Sequence, residues 1–283
     1  MANILKGKAV ADKIKEEIAA KLKDYNEFPK LAIIRIGEDP SDISYERGMI
    51  KACESVNMPY ESFKLASDVC RDEFLNLINK LNTDNEYSGI MPLRPFPKQI
   101  NSKEISELIN PLKDVDCINS ENLNRLFSGN FENLLPCTPN AIMKLLEFYD
   151  IDLKSKTVLI MNRTEVVGKP LVMMMLKEDA SVIITHSKSD NEKVKKLSKS
   201  SDIVVCAVGK AEIFDMQYFT KDSIVIDVGM SENEDGKLCG DVKFDEVSDK
   251  VKYITPVFGG IGSVTTACLL KNNLIAGINL LER

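Results

Sequence analysis

Apolar positions in the first half of the chain switch between two periods. From Gly7 to Tyr25 they fall at Val10, Ile14, Ile18 and Leu22, a spacing of four that predicts one face of a helix. Residues 31–36 (Leu-Ala-Ile-Ile-Arg-Ile) form an apolar run of strand length, closed by the turn signal Gly37-Glu-Asp-Pro40. A helix capped by Ser41 or Ser44 is expected to run to about Val56. Tyr60 to Leu65 then reads as a strand, Arg71 to Leu81 as a helix and Tyr87 to Met91 as a strand. The next segment, Pro92-Leu-Arg-Pro-Phe-Pro97, excludes regular helix and central strand, because its prolines have no N–H to donate.

The second half repeats the alternation. Helices are expected over Pro139 to Tyr149, Val167 to Leu176, Asn191 to Lys199 and Ser263 to about Leu281. Strands are expected over Thr157 to Met161, Ser181 to Thr185, Asp202 to Val208, Ser223 to Asp227 and Lys252 to Ile254. Continuous apolar strands separated by helices specify parallel sheets covered on both faces. The expected fold class is therefore α/β, with two α/β domains. The polar stretch from Cys117 to Pro136, rich in Asn and Ser, marks the boundary between them.

A length of 283 residues suits two domains. The net charge of −6 argues against a nucleic-acid partner. No stretch approaches the ~20 apolar residues of a membrane span, and the first residues lack the layout of a signal peptide. Seven cysteines without a CxxC pair read as reduced thiols of a cytoplasmic protein. The single histidine, His186, excludes multi-histidine metal sites and leaves little room for a histidine triad. Enzyme chemistry in this chain is expected to fall to Lys, Tyr, Asp or a cofactor.

Residues 158–168 (Val-Leu-Ile-Met-Asn-Arg-Thr-Glu-Val-Val-Gly) make a strand, a turn and a helix start. A Rossmann unit holds its diphosphate at such a place, on free helix N–H groups. The glycine fingerprint is absent apart from Gly168, so a plain strand–helix corner is the competing reading. The next strand ends Thr185-His186-Ser187-Lys188, without the acidic residue that marks NAD-specific folds. Arg163, Ser187 and Lys188 together suit a ribose 2′-phosphate, which favours NADP over NAD. Solvated surface charge is the alternative for each, and a strand end without a role is the alternative for His186. Ala207-Val208-Gly209-Lys210 and Val228-Gly229 fall at further strand ends, where open α/β sheets bind ligands. Residues 255–262 (Thr-Pro-Val-Phe-Gly-Gly-Ile-Gly) form a loop with glycines suited to close approach.

In this order, these segments resemble the methylenetetrahydrofolate dehydrogenase/cyclohydrolase family. The resemblance covers nearly the whole chain and rests on seven segments in register: Pro111–Asp116, Pro136–Pro139, Arg163–Pro170, His186–Lys188, Ile226–Gly229, Gly240–Val242 and Ile254–Gly262. It implies a folate-binding catalytic domain over residues 1–120 plus the C-terminal helix at about 264–283. A Rossmann-like NAD(P)-binding domain is implied over 121–263, with a ligand cleft between the two. It also implies tetrahydrofolate derivatives as substrates, NADP as cofactor with NAD as the alternative, a homodimer, and no nucleic-acid or membrane partner.

The family site contains a Tyr-x-x-x-Lys pair, a Gln in a Val-Gln-Leu-Pro segment and an Asp that binds the pterin. Tyr45 matches the Tyr and Asp116 the Asp, whereas Met49 stands at the Lys position and Leu93 at the Gln position. Asn162 replaces the glycine before Arg163, Cys117 the glycine after Asp116, and Phe258 and Ser263 replace prolines. By resemblance, Asn162, Arg163, Thr164, Gly168, His186, Ser187, Lys188, Val208, Gly209 and Gly229 bind the cofactor. By the same resemblance, Tyr45, Asp116, Pro256, Gly259 and Gly260 bind the substrate. Lys51 and Arg47 lie two positions from Met49, roughly 200° around a helix, and point elsewhere. Arg94 is a candidate for folate carboxylates, with surface exposure as its alternative.

Three readings stay open at this point. The first is a dehydrogenase with weak or absent cyclohydrolase activity, because Met49 and Leu93 supply no acid–base group. The second is the full bifunctional enzyme. The third is a catalytically silent binding homologue.

Overall fold

The computed structural model describes residues 3–282. The first half contains β1 (Asn3–Ile4), α1 (Gly7–Leu22), β2 (Lys30–Ile36), α2 (Pro40–Ser55), β3 (Tyr60–Leu65), α3 (Arg71–Thr83), β4 (Tyr87–Pro92), α4 (Ser102–Leu108), α5 (Ser120–Phe127) and α6 (Cys137–Phe148). The second half contains β5 (Thr157–Met161), α7 (Gly168–Lys177), β6 (Ser181–Thr185), α8 (Asn191–Ser200), β7 (Ile203–Cys206), β8 (Ile224–Asp227), β9 (Ser231–Glu232), β10 (Leu238–Cys239), α9 (Phe244–Val247), β11 (Tyr253–Ile254) and α10 (Ile261–Leu281). Two compact units result: Asp12–Cys137 with Thr266–Arg283, and Met1–Ala11 with Thr138–Thr265. Helices α1 and α10 each carry residues of both.

The first of these units is built on a three-stranded parallel sheet in the order β3-β2-β4. Ala32 and Ile34 of β2 pack with Phe74, Ile78 and Leu81 of α3 and with Ile105 of α4. The cap of α2 is neither Ser41 nor Ser44 but Asp39, whose Oδ1 accepts the Ser41 N–H at 2.8 Å. Pro40 follows it, and the fixed φ of proline suits a first helical turn. Within the polar stretch that reads as a boundary, α5 forms. Asn119 caps it at Glu121 N–H (2.8 Å), and its amide donates to Ile109 O (3.1 Å). A sequence rich in Asn and Ser thus serves capping as well as connection.

The second unit holds a six-stranded parallel sheet in the order β1-β11-β8-β7-β5-β6. Its first strand corrects the domain boundaries expected from sequence. Asn3 pairs with Tyr253 and Ile4 with Ile254, so the N-terminal strand belongs to this sheet and not with residues 12–137. Two residues are too short a run to show periodicity. The antiparallel hairpin β9–β10 lies equally below the pattern. From β5 the chain goes to β6 on one side and then to β7 on the other, so strand order reverses between β5 and β7. Crevices at such reversals are where open α/β sheets bind ligands.

The expectation that no segment approaches a membrane span needs one amendment. Among the described residues, α10 has the length and mean hydropathy (1.2) of a span. Val264, Ala267, Leu269, Leu270 and Leu274 are buried in protein. Asn272 donates to Val115 O (2.8 Å) and Leu135 O (2.7 Å), which is the behaviour of a core helix.

Candidate functional site

Helix α2 carries Tyr45 and is fastened to the sheet by its neighbour. Glu46 accepts from Arg35 Nε of β2 at 2.6 Å and from the Ser62 hydroxyl of β3, and both charged side chains are buried. Burial opposes ionisation of Glu46, but the Ser62 and Arg35 hydrogen bonds outweigh it and hold the carboxyl below its ordinary value. This internal pair fixes the rotation of α2. Tyr45 is left 42% exposed, while Met49 one turn later is fully buried. Leu93 follows β4, is buried, and ties its N–H to Ile34 O at 2.8 Å. Met49 and Leu93, which the resemblance sets at the positions of a lysine and a glutamine, are therefore both buried apolar side chains.

Asp116 is reached through a braced segment. Ile90 of β4 donates to Lys113 O (2.8 Å), and the buried Lys113 ammonium donates to Leu81 O (2.8 Å) and Asp84 O (2.7 Å). Asp114 accepts from the N–H groups of Ile118 (3.1 Å) and Asn119 (2.8 Å) and from the Asn122 amide (3.0 Å). Burial pushes the Asp114 carboxyl up to about 6. Held on both sides, Asp116 meets Arg94 Nη2 at 2.5 Å. Burial raises the Asp116 carboxyl above its ordinary value, against the Arg94 charge and hydrogen bonds from Arg94 and Cys137. Desolvation and the Asp116 carboxylate together push the Tyr45 hydroxyl far up, so it stays a neutral phenol. Tyr45, Arg94, Asp116 and Cys137 form one electrostatic cluster, and Met49 and Leu93 add no charge to it. The Arg94 pairing bridges 22 residues of sequence and leaves no local signal.

In the other unit the parallel register levels the strand ends. Met161 pairs with Thr185 and with Cys206, and Cys206 pairs with Asp227. Residues 162–168, 186–188, 207–210 and 228–229 consequently leave one edge of the sheet together. Asn162 organises the first of these loops. Its Oδ1 accepts from Thr164 N–H (2.7 Å), Thr164 Oγ1 (2.8 Å) and Gly168 N–H (3.0 Å). Its Nδ2 donates to Ala207 O at 2.5 Å, across the β5/β7 reversal. Gly168 is required here, since a Cβ would stand 2.3 Å from Asn162 O.

This geometry corrects one expectation. Free N–H groups at the start of α7 were expected to receive a diphosphate. Instead Gly168 N–H goes to Asn162, Lys169 N–H goes to Thr164 O (3.0 Å), and Pro170 has none. Donors for phosphate remain in the exposed side chains of Arg163, Ser187 and Lys188, which follow the level ends of β5 and β6. Donors and positive charge at a strand-end crevice fit a phosphorylated dinucleotide. His186 makes two hydrogen bonds within its own turn: its backbone N–H donates to Ser189 Oγ (3.1 Å) and its Nδ1 accepts from Lys188 N–H (3.2 Å).

Val208, Gly209 and Gly229 are shaped by two aspartates that sequence reading did not single out. Asp241, fully buried, accepts from Val208 N–H (2.5 Å) and Lys210 N–H (2.8 Å). Asp227, also buried, accepts from the N–H groups of Gly229 (2.9 Å), Asp241 (3.1 Å) and Val242 (2.9 Å). A Cβ on Gly229 would stand 2.2 Å from Asp241 Oδ1. Burial pushes Asp227 up to about 6 and raises Asp241 too, against these backbone bonds. Pro256, with Val257 and Phe258, lines a cavity of about 400 Å³ whose other walls include Leu238 and Cys239 of β10. Gly260 lies against Pro256 O, and the Gly259 carbonyl accepts the Gly7 N–H at 2.7 Å.

Comparison with known proteins also finds two parts, with bounds that differ at 5–11 and 266–279 from those of the compact units. Residues 5–116 match the catalytic domain of tetrahydrofolate dehydrogenase/cyclohydrolase, and residues 136–279 match its NAD(P)-binding domain. The bifunctional protein FolD of Clostridium botulinum is 49% identical over 275 residues, covering 96% of this chain and 97% of that one. The structure of the bifunctional FolD enzyme from Campylobacter jejuni superposes with a TM-score of 0.94 at 36% identity, over 99% of both chains. The Trypanosoma brucei enzyme, complexed with NADP cofactor and inhibitor, gives a TM-score of 0.93 at 29% identity, over 100% of this chain and 99% of that one.

Proposed function

The chain belongs to the tetrahydrofolate dehydrogenase/cyclohydrolase family, and from that premise we propose a dehydrogenase whose hydrolytic step is weak or absent. It oxidises 5,10-methylenetetrahydrofolate to 5,10-methenyltetrahydrofolate, with NADP as the preferred hydride acceptor. The observation that carries this reading is the pair Met49 and Leu93, both buried and neither able to hold or move a proton.

Hydride transfer requires no protein acid or base; the nicotinamide supplies the acceptor, and the protein supplies position and electrostatics. Asp116 accepts the donors on the pterin edge, and Tyr45, a neutral phenol with an exposed ring, packs on the ring system. Arg163, Ser187 and Lys188 surround the ribose 2′-phosphate and set the preference for NADP. Opening of the methenyl product by water is a different demand. It needs proton transfers to which a positioned acid–base group contributes roughly 10²–10⁴-fold, and Met49 and Leu93 contribute none. Relatives named as bifunctional favour a second reading, in which hydrolysis persists through other residues.

The two half-reactions separate these readings. With methylenetetrahydrofolate, the reduced cofactor is expected to form faster with NADP than with NAD, and added methenyltetrahydrofolate to hydrolyse near the solvent rate. Failure to reduce either nucleotide refutes the dehydrogenase assignment. Protein-dependent hydrolysis as fast as the oxidation establishes the second reading.

A further inference from the structure

We propose that Arg94 is a positioning residue for Asp116, holding the carboxylate ionised and turned so that its remaining acceptor sites face the pterin. The inference rests on the folate reading above and goes beyond it, since Arg94 has no counterpart in the family pattern to which Tyr45 and Asp116 belong.

The geometry supports it in three steps. An ionised carboxylate offers about four acceptor positions. Arg94 Nη2, at 2.5 Å from Oδ2, uses one, while the Cys137 thiol beside it donates to Val115 O at 3.2 Å. The positions left over are enough to accept the ring N–H and the amino group on one edge of a 2-amino-4-oxopterin. A protonated carboxyl cannot accept both of these donors in the same way, so folate binding requires the ionised form.

Burial works against that form, and Arg94 is the cation that opposes it. Asp116 is 16% exposed and Arg94 30%. The groups facing Asp116 are Tyr45 from α2, Arg94 from the loop after β4, Cys137 from α6, and Asp114 and Cys117 from its own segment. The phenol and the thiols are neutral, and Asp114 adds negative charge. Helix α2 brings no cation, because Met49 fills the position one turn beyond Tyr45. Among the described residues, the cation acting on this carboxylate thus comes from the Pro-rich loop. The loop gives it a fixed origin, since Leu93 is bonded to β2 immediately before it.

Titration calorimetry with tetrahydrofolate, repeated across pH, tests the role without turnover. An Arg94→Leu variant is expected to bind about tenfold more weakly near neutral pH. The acid limb of its binding is expected to move upward by about 1–3 pH units, the usual effect of an adjacent cation on a carboxyl group. Arg94→Lys restores most of both. NADP affinity, measured on the same samples, stays at the wild-type value and reports that the variants are folded. Asp114 titrates in every protein and cancels in the comparison. In steady state, KM for the folate rises while kcat is nearly unchanged. An Arg94→Leu protein with the wild-type pH dependence, or with tighter binding, overturns the positioning role and leaves the dehydrogenase reading intact. Failure of the wild type to bind tetrahydrofolate at any pH overturns both.

Discussion

Asp116 in one unit, 16% exposed, and Asp241 in the other, fully buried, are carboxylates with opposite fates. Asp116 is met by the Arg94 cation and keeps acceptor sites open. Asp241 has no cation; it is wrapped by the N–H groups of residues 208–210, and its neighbour Asp227 by those of Gly229, Asp241 and Val242. A carboxylate closed by backbone donors shapes loops, because its capacity is spent inside the fold. A carboxylate paired with one side-chain cation keeps acceptor capacity for something else. The Asp116 cluster therefore depends on side-chain charge, which substitution can move, and the loops at 208–210 and 229 on main-chain hydrogen bonds, which it can only break.

The widest change is expected from installing the lysine and glutamine that the resemblance implies at positions 49 and 93. Met49→Lys with Leu93→Gln is expected to raise methenyl hydrolysis by about 10²–10⁴-fold, followed as loss of the methenyl chromophore. An increase confined within error would mean that hydrolysis was lost, or is retained, for some other reason. The next effect sets the two aspartates against each other. Asp241→Ala removes the buried acceptor of three loop N–H groups and is expected to cost about 1–3 kcal/mol in chemical denaturation. Asp116→Ala is expected to cost far less stability while abolishing tetrahydrofolate binding. Equal losses of stability in the two variants would erase the distinction.

The smallest effect concerns pH. Asp114 and Asp227 have carboxyls pushed up to about 6 from the ordinary 3.8. The folded state thus binds their protons more tightly than the unfolded chain, and stability rises as pH falls through this range. Between about pH 7 and pH 5 each is expected to add about 1 kcal/mol. Glu46, held below its ordinary value, works in the opposite direction only at lower pH. Denaturation midpoints that fall over this interval would contradict the assignment.

Most of the fold was legible in the hydrophobic pattern. Strands β3, β5 and β6 have the bounds that the pattern predicts; β5 and β6 are apolar runs, whereas β3 (Tyr-Glu-Ser-Phe-Lys-Leu) interleaves polar residues with Tyr60, Phe63 and Leu65. Strands β1, β9 and β10, two residues each, carry no period to read. Helix α5 was hidden because its Asn and Ser residues resemble a linker until Asn119 is seen as a cap. Motif spacing pointed to Tyr45, Asp116 and the strand ends, and the structure puts Tyr45 and Asp116 in one electrostatic cluster. The spacing could not show that Arg94 reaches Asp116, or that Asn162 takes up the N–H of Gly168. Both are contacts between segments or across a turn, and both involve residues that depart from the family pattern.

Asn162 also has a thermodynamic consequence. By tying residues 162–168 to themselves and to Ala207, it makes their order part of folding. Loops that set only on binding lose about 0.5–1.5 kcal/mol for each side chain immobilised. If the nucleotide binds at this loop, its association is expected to carry little ordering entropy, because the loop is already fixed by its own hydrogen bonds.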